Sequence, residues 1–95
     1  MKFLVVWKLE ISTLSGEMMA AVMRMPDVAR PLEESGKVIG RYHIVGYHGG
    51  AWIFNVESNE ELEVLLAQLP IYNVSHFDVY PLADMSSFPV VPPAD

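Results

Sequence analysis

The chain has 95 residues, no cysteine and a formal net charge of −6 at neutral pH. This length suits one small domain, and the missing cysteines exclude disulfides, cysteine-ligated metals and cysteine nucleophiles. The 6 lysines and arginines are scattered, which argues against a nucleic-acid partner because phosphate binding needs a basic stripe. A hydrophobic fraction of 52% is high for so short a chain, so we expect a homo-oligomer, either a dimer or a larger assembly of dimers.

The apolar segments of the chain predict the cellular location of the protein. No run approaches the roughly 18 apolar residues that cross a bilayer, so we expect no membrane partner. The apolar residues 1–7 meet Lys8 and Glu10 too early for a signal peptide. We therefore expect a cytoplasmic protein.

The predicted elements begin with a strand over residues 2–10, where apolar side chains fall on both faces. Ser15 is a typical N-cap for the helix that follows. Proline inside a helix removes one backbone hydrogen bond, so we expect this helix to run to about Met25 and to kink or restart at Pro26. Gly36 is a typical residue to end the part of the helix that follows Pro26.

Two strands joined by a hairpin follow. Residues 38–47 alternate well enough for a strand, and residues 51–56 form the next one. Glycines are frequent in tight hairpins, so we expect the turn at residues 48–50.

A second helix and a last strand complete the order. Ser58 and Glu61 have the spacing of a capping box, and Pro70 stops the helix. The segment "SHFDVYPL", residues 75–82, is the last strand.

This order predicts an α+β fold, the ferredoxin-like βαββαβ pattern, in which an antiparallel sheet carries both helices on one face. We expect this domain to span residues 1–84 and a proline-rich C-terminal arm to span residues 85–95. The uncovered face of the sheet would pack against a second sheet in a dimeric α+β barrel. A ligand cavity would lie inside the barrel or between the sheet and its helices.

Two segments of the chain carry a pattern beyond the order of elements. From Gly36 to Tyr72 the pattern consists of Ile44, Gly46, the "IFNV" strand, an acidic-capped helix and the turn "LAQLPIY"; later it consists of "FDVYPLADMSS". In these segments the chain resembles the muconolactone isomerase family. The resemblance implies a cofactor-free enzyme assembled from dimers. It implies an isomerase or cyclase that acts by proton transfer on a small unsaturated lactone or carbonyl compound. The family carries a lysine and glutamate cluster on its first helix; "MRMPDVARPL" places Pro26 near the lysine position and Asp27 at the carboxylate.

Moving a carbon-bound proton beside a carbonyl needs an acid–base group and a donor for the enolate oxygen. The catalytic candidates are His43 and Asp27 as acid–base groups, with Arg41 and Tyr72 orienting an oxygen. Strand alternation places Arg41 and His43 on one face with Ile39, and Tyr42 on the other face with Val38. The candidate substrate-binding residues are the aromatic Trp7, Tyr42, Trp52 and Phe54.

Other interpretations remain open. His48 lies in the expected turn and is more typical of a residue facing water, and a separation of five places His43 and His48 on opposite strand faces, so we expect no metal. The same barrel shape also serves cofactor-free monooxygenases of aromatic substrates. A non-catalytic protein that binds a small molecule or assists assembly is a third possibility.

Overall fold

The structure is a computed structural model that describes residues 1–85. The strands in this range are β1 (Lys2–Leu9), β2 (Val38–His43), β3 (Gly49–Asn55) and β4 (Ser75–Leu82). The α-helices are α1 (Gly16–Glu34) and α2 (Asn59–Ala67), and short 3-10 turns lie at Ile11–Thr13 and Tyr72–Val74. The strands form one antiparallel sheet in the order β2-β3-β1-β4. The predicted α+β, ferredoxin-like βαββαβ fold is confirmed.

The core lies between one face of the sheet and the two helices. Three rows of paired residues cross this face, and each row runs from β4 through β1 and β3 to β2. The rows are Pro81–Phe3–Phe54–Val38, Val79–Val5–Trp52–Arg41 and Phe77–Trp7–Gly50–His43. Apolar side chains from α1 and α2 pack on them, which removes the apolar face of each helix from water. The predicted arm, apart from Met85, lies outside the described residues.

Helix α1 runs without a break through Pro26 and Pro31, so it does not end at about Met25 and restart at Pro26. Each proline lacks the N–H that a helix interior normally uses. The buried side chains Met18, Ala21, Met25 and Ala29 nevertheless form one stripe that continues past Pro26. Packing of this stripe on the sheet outweighs the local cost of the proline.

The predicted ends of α1 are confirmed. The Ser15 side chain accepts a hydrogen bond of 3.1 Å from the Met18 N–H. At the other end Gly36 has a φ of 78°, a conformation that glycine adopts without strain. The N–H of Lys37 donates to the Leu32 carbonyl, which closes the Schellman motif and sends β2 back along α1.

Helix α2 begins with a variant of the predicted capping box. Ser58 accepts from the Glu61 N–H at 3.1 Å, as expected. The Glu61 carboxylate reaches back to the Glu57 N–H at 3.0 Å and also binds Lys37 Nζ at 3.0 Å. These hydrogen bonds hold the pKa of Glu61 below its ordinary value, because they favour the charged carboxylate.

The β2–β3 connection lies earlier than predicted. Residues 44–48 make it, and Gly46 turns the chain with a φ of 74°. Gly49 and Gly50 are buried in β3 instead of in the turn. A Cβ on Gly49 would lie 1.8 Å from the Trp7 carbonyl oxygen, so close strand packing requires glycine there.

The register of β2 shifts between Val38 and Gly40, which makes Ile39 an extra residue in the ladder. Such a bulge reverses the alternation of faces. Arg41 and His43 therefore share the helix-facing side with Val38, not with Ile39 as predicted. Tyr42 pairs with Ala51 on the opposite side.

Within residues 1–85, neither helix is long and apolar enough to cross a bilayer.

Candidate functional site

A cavity of about 320 Å³ lies between α1 and the β2 end of the sheet, and we call it the α1 cavity. Helix α1 forms one wall, and β1, β3 and β2 form the floor and the other wall. The lining residues are Trp7, Val22, Met25, Pro26, Glu33, Arg41, Tyr42, His43 and Trp52. Its size matches the lower end of the range for small-molecule sites.

Arg41 is held between a carboxylate and an aromatic ring. Its Nη2 lies 3.1 Å from Oε1 of Glu33, on the last turn of α1. Its Cζ lies 5.6 Å from the Trp52 ring centre, within the range of a cation–π contact. The side chains of Arg41 and Glu33 remain 33% and 42% exposed, so the guanidinium keeps N–H groups that a ligand can reach.

His43 lies one row further along the sheet and is an exposed residue. It pairs with Gly50, which in turn pairs with Trp7. Because Gly50 has no side chain, the Trp7 ring lies over it, with Cζ2 3.1 Å from the position that a Cβ would take. The imidazole and the indole therefore face the same space across a glycine floor. Within residues 1–85, the His43 ring has no hydrogen-bond or ion-pair partner.

The structure brings five of the predicted site residues to the α1 cavity. They are Trp7, Arg41, Tyr42, His43 and Trp52. Tyr42 borders the cavity only at its edge, since its register is that of the outer face and it is 62% exposed.

Asp27 lies away from the cavity, although Pro26 beside it is on the cavity wall. Its carboxylate is 76% exposed and lies 3.9 Å from Arg30 on the same helix. Successive helical residues point about 100° apart, so an unbroken helix turns Asp27 away from the face that Pro26 presents. The uninterrupted course of α1 thus decides where this carboxylate lies.

Tyr72 and Phe54 also lie elsewhere. Tyr72 lines a separate apolar groove of about 250 Å³ beside α2, and its ring contacts Phe77 at 5.8 Å between centres. Phe54 is fully buried in the core, where its ring centre is 6.0 Å from that of Trp52. Phe54 therefore supports the cavity from beneath and does not line it.

Glu33 is the charged cavity residue that the sequence analysis missed. The sequence nevertheless contains a feature that indicates Glu33. A carboxylate in the last turn of a helix is repelled by the negative end of the helix dipole, and α1 has no basic residue in that turn to offset the repulsion. Such a carboxylate is stabilised by a cation from another element. Arg41, on the strand that runs back along the helix, supplies this cation.

Among the described residues, the α1 cavity brings together one imidazole, one guanidinium and one carboxylate. In the described part of the chain, no three histidine, aspartate or glutamate side chains come close enough together to hold a metal ion. The cavity can accept and return a proton through His43, and it can donate hydrogen bonds to an oxygen through Arg41.

The fold and the cavity define a small α+β protein of ferredoxin-like topology that holds a ligand-sized site between its first helix and its sheet. The family model for muconolactone delta-isomerase matches residues 1–87. The chain belongs to the muconolactone delta-isomerase family.

Two curated relatives support this assignment. The muconolactone delta-isomerase of Cupriavidus pinatubonensis is 38% identical over 55 residues, which are 58% of this chain and 60% of that protein. Muconolactone delta-isomerase 1 of Acinetobacter lwoffii is 37% identical over 54 residues, which are 57% of this chain and 56% of that protein. The matched segments thus span less than two thirds of either relative.

Two solved structures share the fold. A crystal structure of muconolactone isomerase superposes with a TM-score of 0.79 at 22% identity, over 100% of this chain and 98% of that one. The second structure is a 5-chloro-2-hydroxyhydroquinone dehydrochlorinase from Burkholderia phenoliruptrix in complex with 2,5-dihydroxybenzoquinone. It superposes with a TM-score of 0.66 at 16% identity, over 90% of this chain and 97% of that one. At these identities the likeness shows the fold alone.

Proposed function

We propose that this protein is a cofactor-independent isomerase that moves a proton within a small unsaturated lactone or carbonyl compound bound in the α1 cavity. Membership of the muconolactone delta-isomerase family supports the reaction class. The observation that carries the proposal for this chain is that Arg41 and His43 line the same cavity.

His43 serves as the acid–base group of the proposed reaction. Imidazole exchanges protons near neutral pH, so it can take an acidic proton from one carbon that is conjugated with the carbonyl and return it to another carbon of the same conjugated system. The substrate and product are isomers, so the step needs no oxidant, reductant or second reactant. His43 begins and ends the cycle in the same protonation state.

Arg41 stabilises the negative charge that develops on the carbonyl oxygen. Removal of the carbon-bound proton produces an enolate, and a fixed donor beside that oxygen lowers the barrier. The contacts with Glu33 and Trp52 hold the guanidinium in place before the ligand arrives. The Trp7 and Trp52 side chains offer flat apolar walls that suit a planar, conjugated ring.

The protein acts as a homo-oligomer in this proposal, with its outer sheet face covered by a second copy. Both helices lie on the other face of the sheet. Apolar residues line the outer face, including half-buried Leu4, Val6 and Ile53, and Tyr80, which is 50% exposed. A second sheet would remove this surface from water and form the dimeric α+β barrel.

Proton transfer is tested by incubating the protein with muconolactone in heavy water and following deuterium uptake and double-bond migration by NMR. We expect His43→Gln to lower kcat by about 10²–10⁴-fold, the usual contribution of a general acid–base group. His48→Gln is the matched control, because His48 is an exposed histidine on the neighbouring connection and is not a cavity residue. Equal rates for the two variants would contradict the role of His43.

The same sample separates the other functions. A cofactor-free monooxygenase consumes dioxygen, which an oxygen electrode records, whereas an isomerase does not. Ligand binding without deuterium uptake, and without an effect of His43→Gln on any rate, would favour a non-catalytic binding protein.

A further inference from the structure

We infer that Glu33 sets the charge preference of the α1 cavity, so that it takes an uncharged oxo compound in preference to a carboxylate-bearing one. The inference rests on the proposed function for the class of ligand and adds the charge of that ligand. It starts from the residue that the sequence analysis did not single out.

The ionisable groups of the cavity compensate one another. The lining includes one permanent cation, Arg41, and one carboxylate, Glu33, together with His43 and Tyr42. With neutral imidazole and phenol groups, the lining residues within 1–85 carry no net charge. The chain as a whole has a net charge of −6, which further disfavours an anion.

A ligand carboxylate would have to compete for Arg41. The guanidinium already lies 3.1 Å from a Glu33 oxygen. An incoming anion either shares the cation with Glu33, which brings two negative charges close together, or displaces Glu33 and leaves its charge nearby. Both arrangements are unfavourable in a partly enclosed site, where charges are less well screened than in water.

A carbonyl oxygen meets neither difficulty. A guanidinium has five N–H donors in a planar fork, and a single ion pair leaves several of them for another acceptor. The oxygen of a lactone, ester or ketone can accept one without adding a charge. The enolate charge that develops during proton transfer is accompanied by the charge gained on His43, so the cavity stays balanced throughout.

The test compares two ligands that differ in charge and by one methyl group: muconolactone, which carries a carboxylate, and its methyl ester. The methyl group contributes equally in every variant, so the change in the ratio between variants reports the charge effect. Both are titrated against the protein in mildly alkaline buffer, where an ordinary histidine is neutral. Trp7 and Trp52 are the 2 tryptophans of the chain and both line the cavity, so quenching of their fluorescence reports binding there. The quantity of interest is the ratio of the two dissociation constants.

We expect the unmodified protein to bind the ester about 5-fold or more tightly than the acid, the scale of one partly screened charge interaction. Glu33→Gln exposes the charge of Arg41 and should shift the ratio toward the acid by about 5–10-fold. Glu34→Gln is the matched control, because it changes the net charge equally but is not a cavity residue. Arg41→Gln leaves Glu33 alone and should shift the ratio the other way.

Circular dichroism checks that each variant is folded, and the opposite shifts at positions 33 and 41 distinguish an electrostatic effect from a loss of structure. Tighter binding of the acid by the unmodified protein would overturn the inference, as would equal ratios for Glu33→Gln and Glu34→Gln. Failure of both compounds to bind would overturn the proposed lactone class and the inference with it. Charge selectivity without deuterium uptake would leave the inference standing and refute the isomerase proposal.

Discussion

Replacing Gly50 with alanine tests whether the missing side chain shapes the α1 cavity. A Cβ atom here would lie 2.8 Å from the Tyr42 carbonyl oxygen and 3.1 and 3.2 Å from Cζ2 and Cε2 of Trp7. Carbon atoms prefer separations of about 3.5–4.0 Å. β2 must therefore move away from β3 to relieve the contact with the Tyr42 oxygen, and the Trp7 ring must shift to relieve the other two contacts.

The expected loss of stability follows from these distances. Overpacking by a methyl group in a packed region costs about 1–3 kcal/mol. Alanine restricts the unfolded chain more than glycine does, which returns about 0.4–1 kcal/mol. The middle of these ranges gives a net loss of about 1.3 kcal/mol for Gly50→Ala, or a fall of roughly 5–10 °C in Tm for a domain of this size.

Thermal unfolding followed by circular dichroism measures the loss, and fluorescence titration with a lactone measures the cavity. Gly16→Ala is the control, because no atom lies within 4 Å of its added Cβ and the site is in a helix. We expect that variant to be as stable as the parent or slightly more stable. Unchanged stability and unchanged lactone binding in Gly50→Ala would refute the view that glycine is required beneath Trp7.

Three further predictions concern other parts of the molecule. Asp27→Asn should leave kcat and KM within about 2-fold of the parent, because the carboxylate is exposed and outside the cavity. The pKa of the Glu61 carboxyl is lowered in the folded protein, so its ionised form stabilises the fold. This stabilisation is fully present above pH 4.5, the ordinary pKa of the group, and it is lost as the pH falls through the lowered pKa. Urea unfolding should therefore show Glu61→Gln less stable than the parent at neutral pH, with the gap closing in acid; Glu60→Gln, at an adjacent exposed position, should show no such gap. Ile53→Lys, on the outer sheet face, should lower the mass measured by sedimentation, whereas Val64→Lys on exposed α2 surface should not.

Local signals in the sequence were sufficient for the order of elements and for most of their ends. Ser15, Ser58 and Gly36 act through hydrogen bonds or backbone angles within a few residues, so their neighbours along the chain determine their role. The alternation and length of the apolar segments then determine the βαββαβ order. Together these features specify the fold class without knowledge of any distant contact.

Features that depend on packing between elements were not predictable in the same way. The course of α1 through Pro26 depends on a stripe of buried side chains, which stabilises the helix only when it packs against the sheet. Gly49 is typical of a turn when considered alone, yet it lies in β3 because the Trp7 backbone passes too close for a side chain. In both cases a tertiary contact outweighs the local preference.

The candidate site shows the same division. Aromatic and basic residues in "GRYH" and "AWIF" indicated Arg41, His43 and Trp52, which do line the cavity. The partnership of Arg41 with Glu33 joins a helix end to a strand and depends on how β2 runs back along α1. The position of Asp27 depends on the course of the helix through Pro26, which local sequence signals did not predict.

The extra residue at Ile39 has a consequence for how this kind of cavity can change its chemistry. It decides that Arg41, and not Tyr42, lies under α1. Without the extra residue, Gly40 and Tyr42 would pair with Trp52 and Gly50 and would take the helix-facing places of Arg41 and His43, while the core rows of β1 and β3 stayed in place. Because β2 is an edge strand with one neighbour, a one-residue insertion or deletion there disturbs a single ladder. Proteins built on this sheet could thus acquire different ligand-binding groups by slipping one strand, without substitution of the residues that form the core.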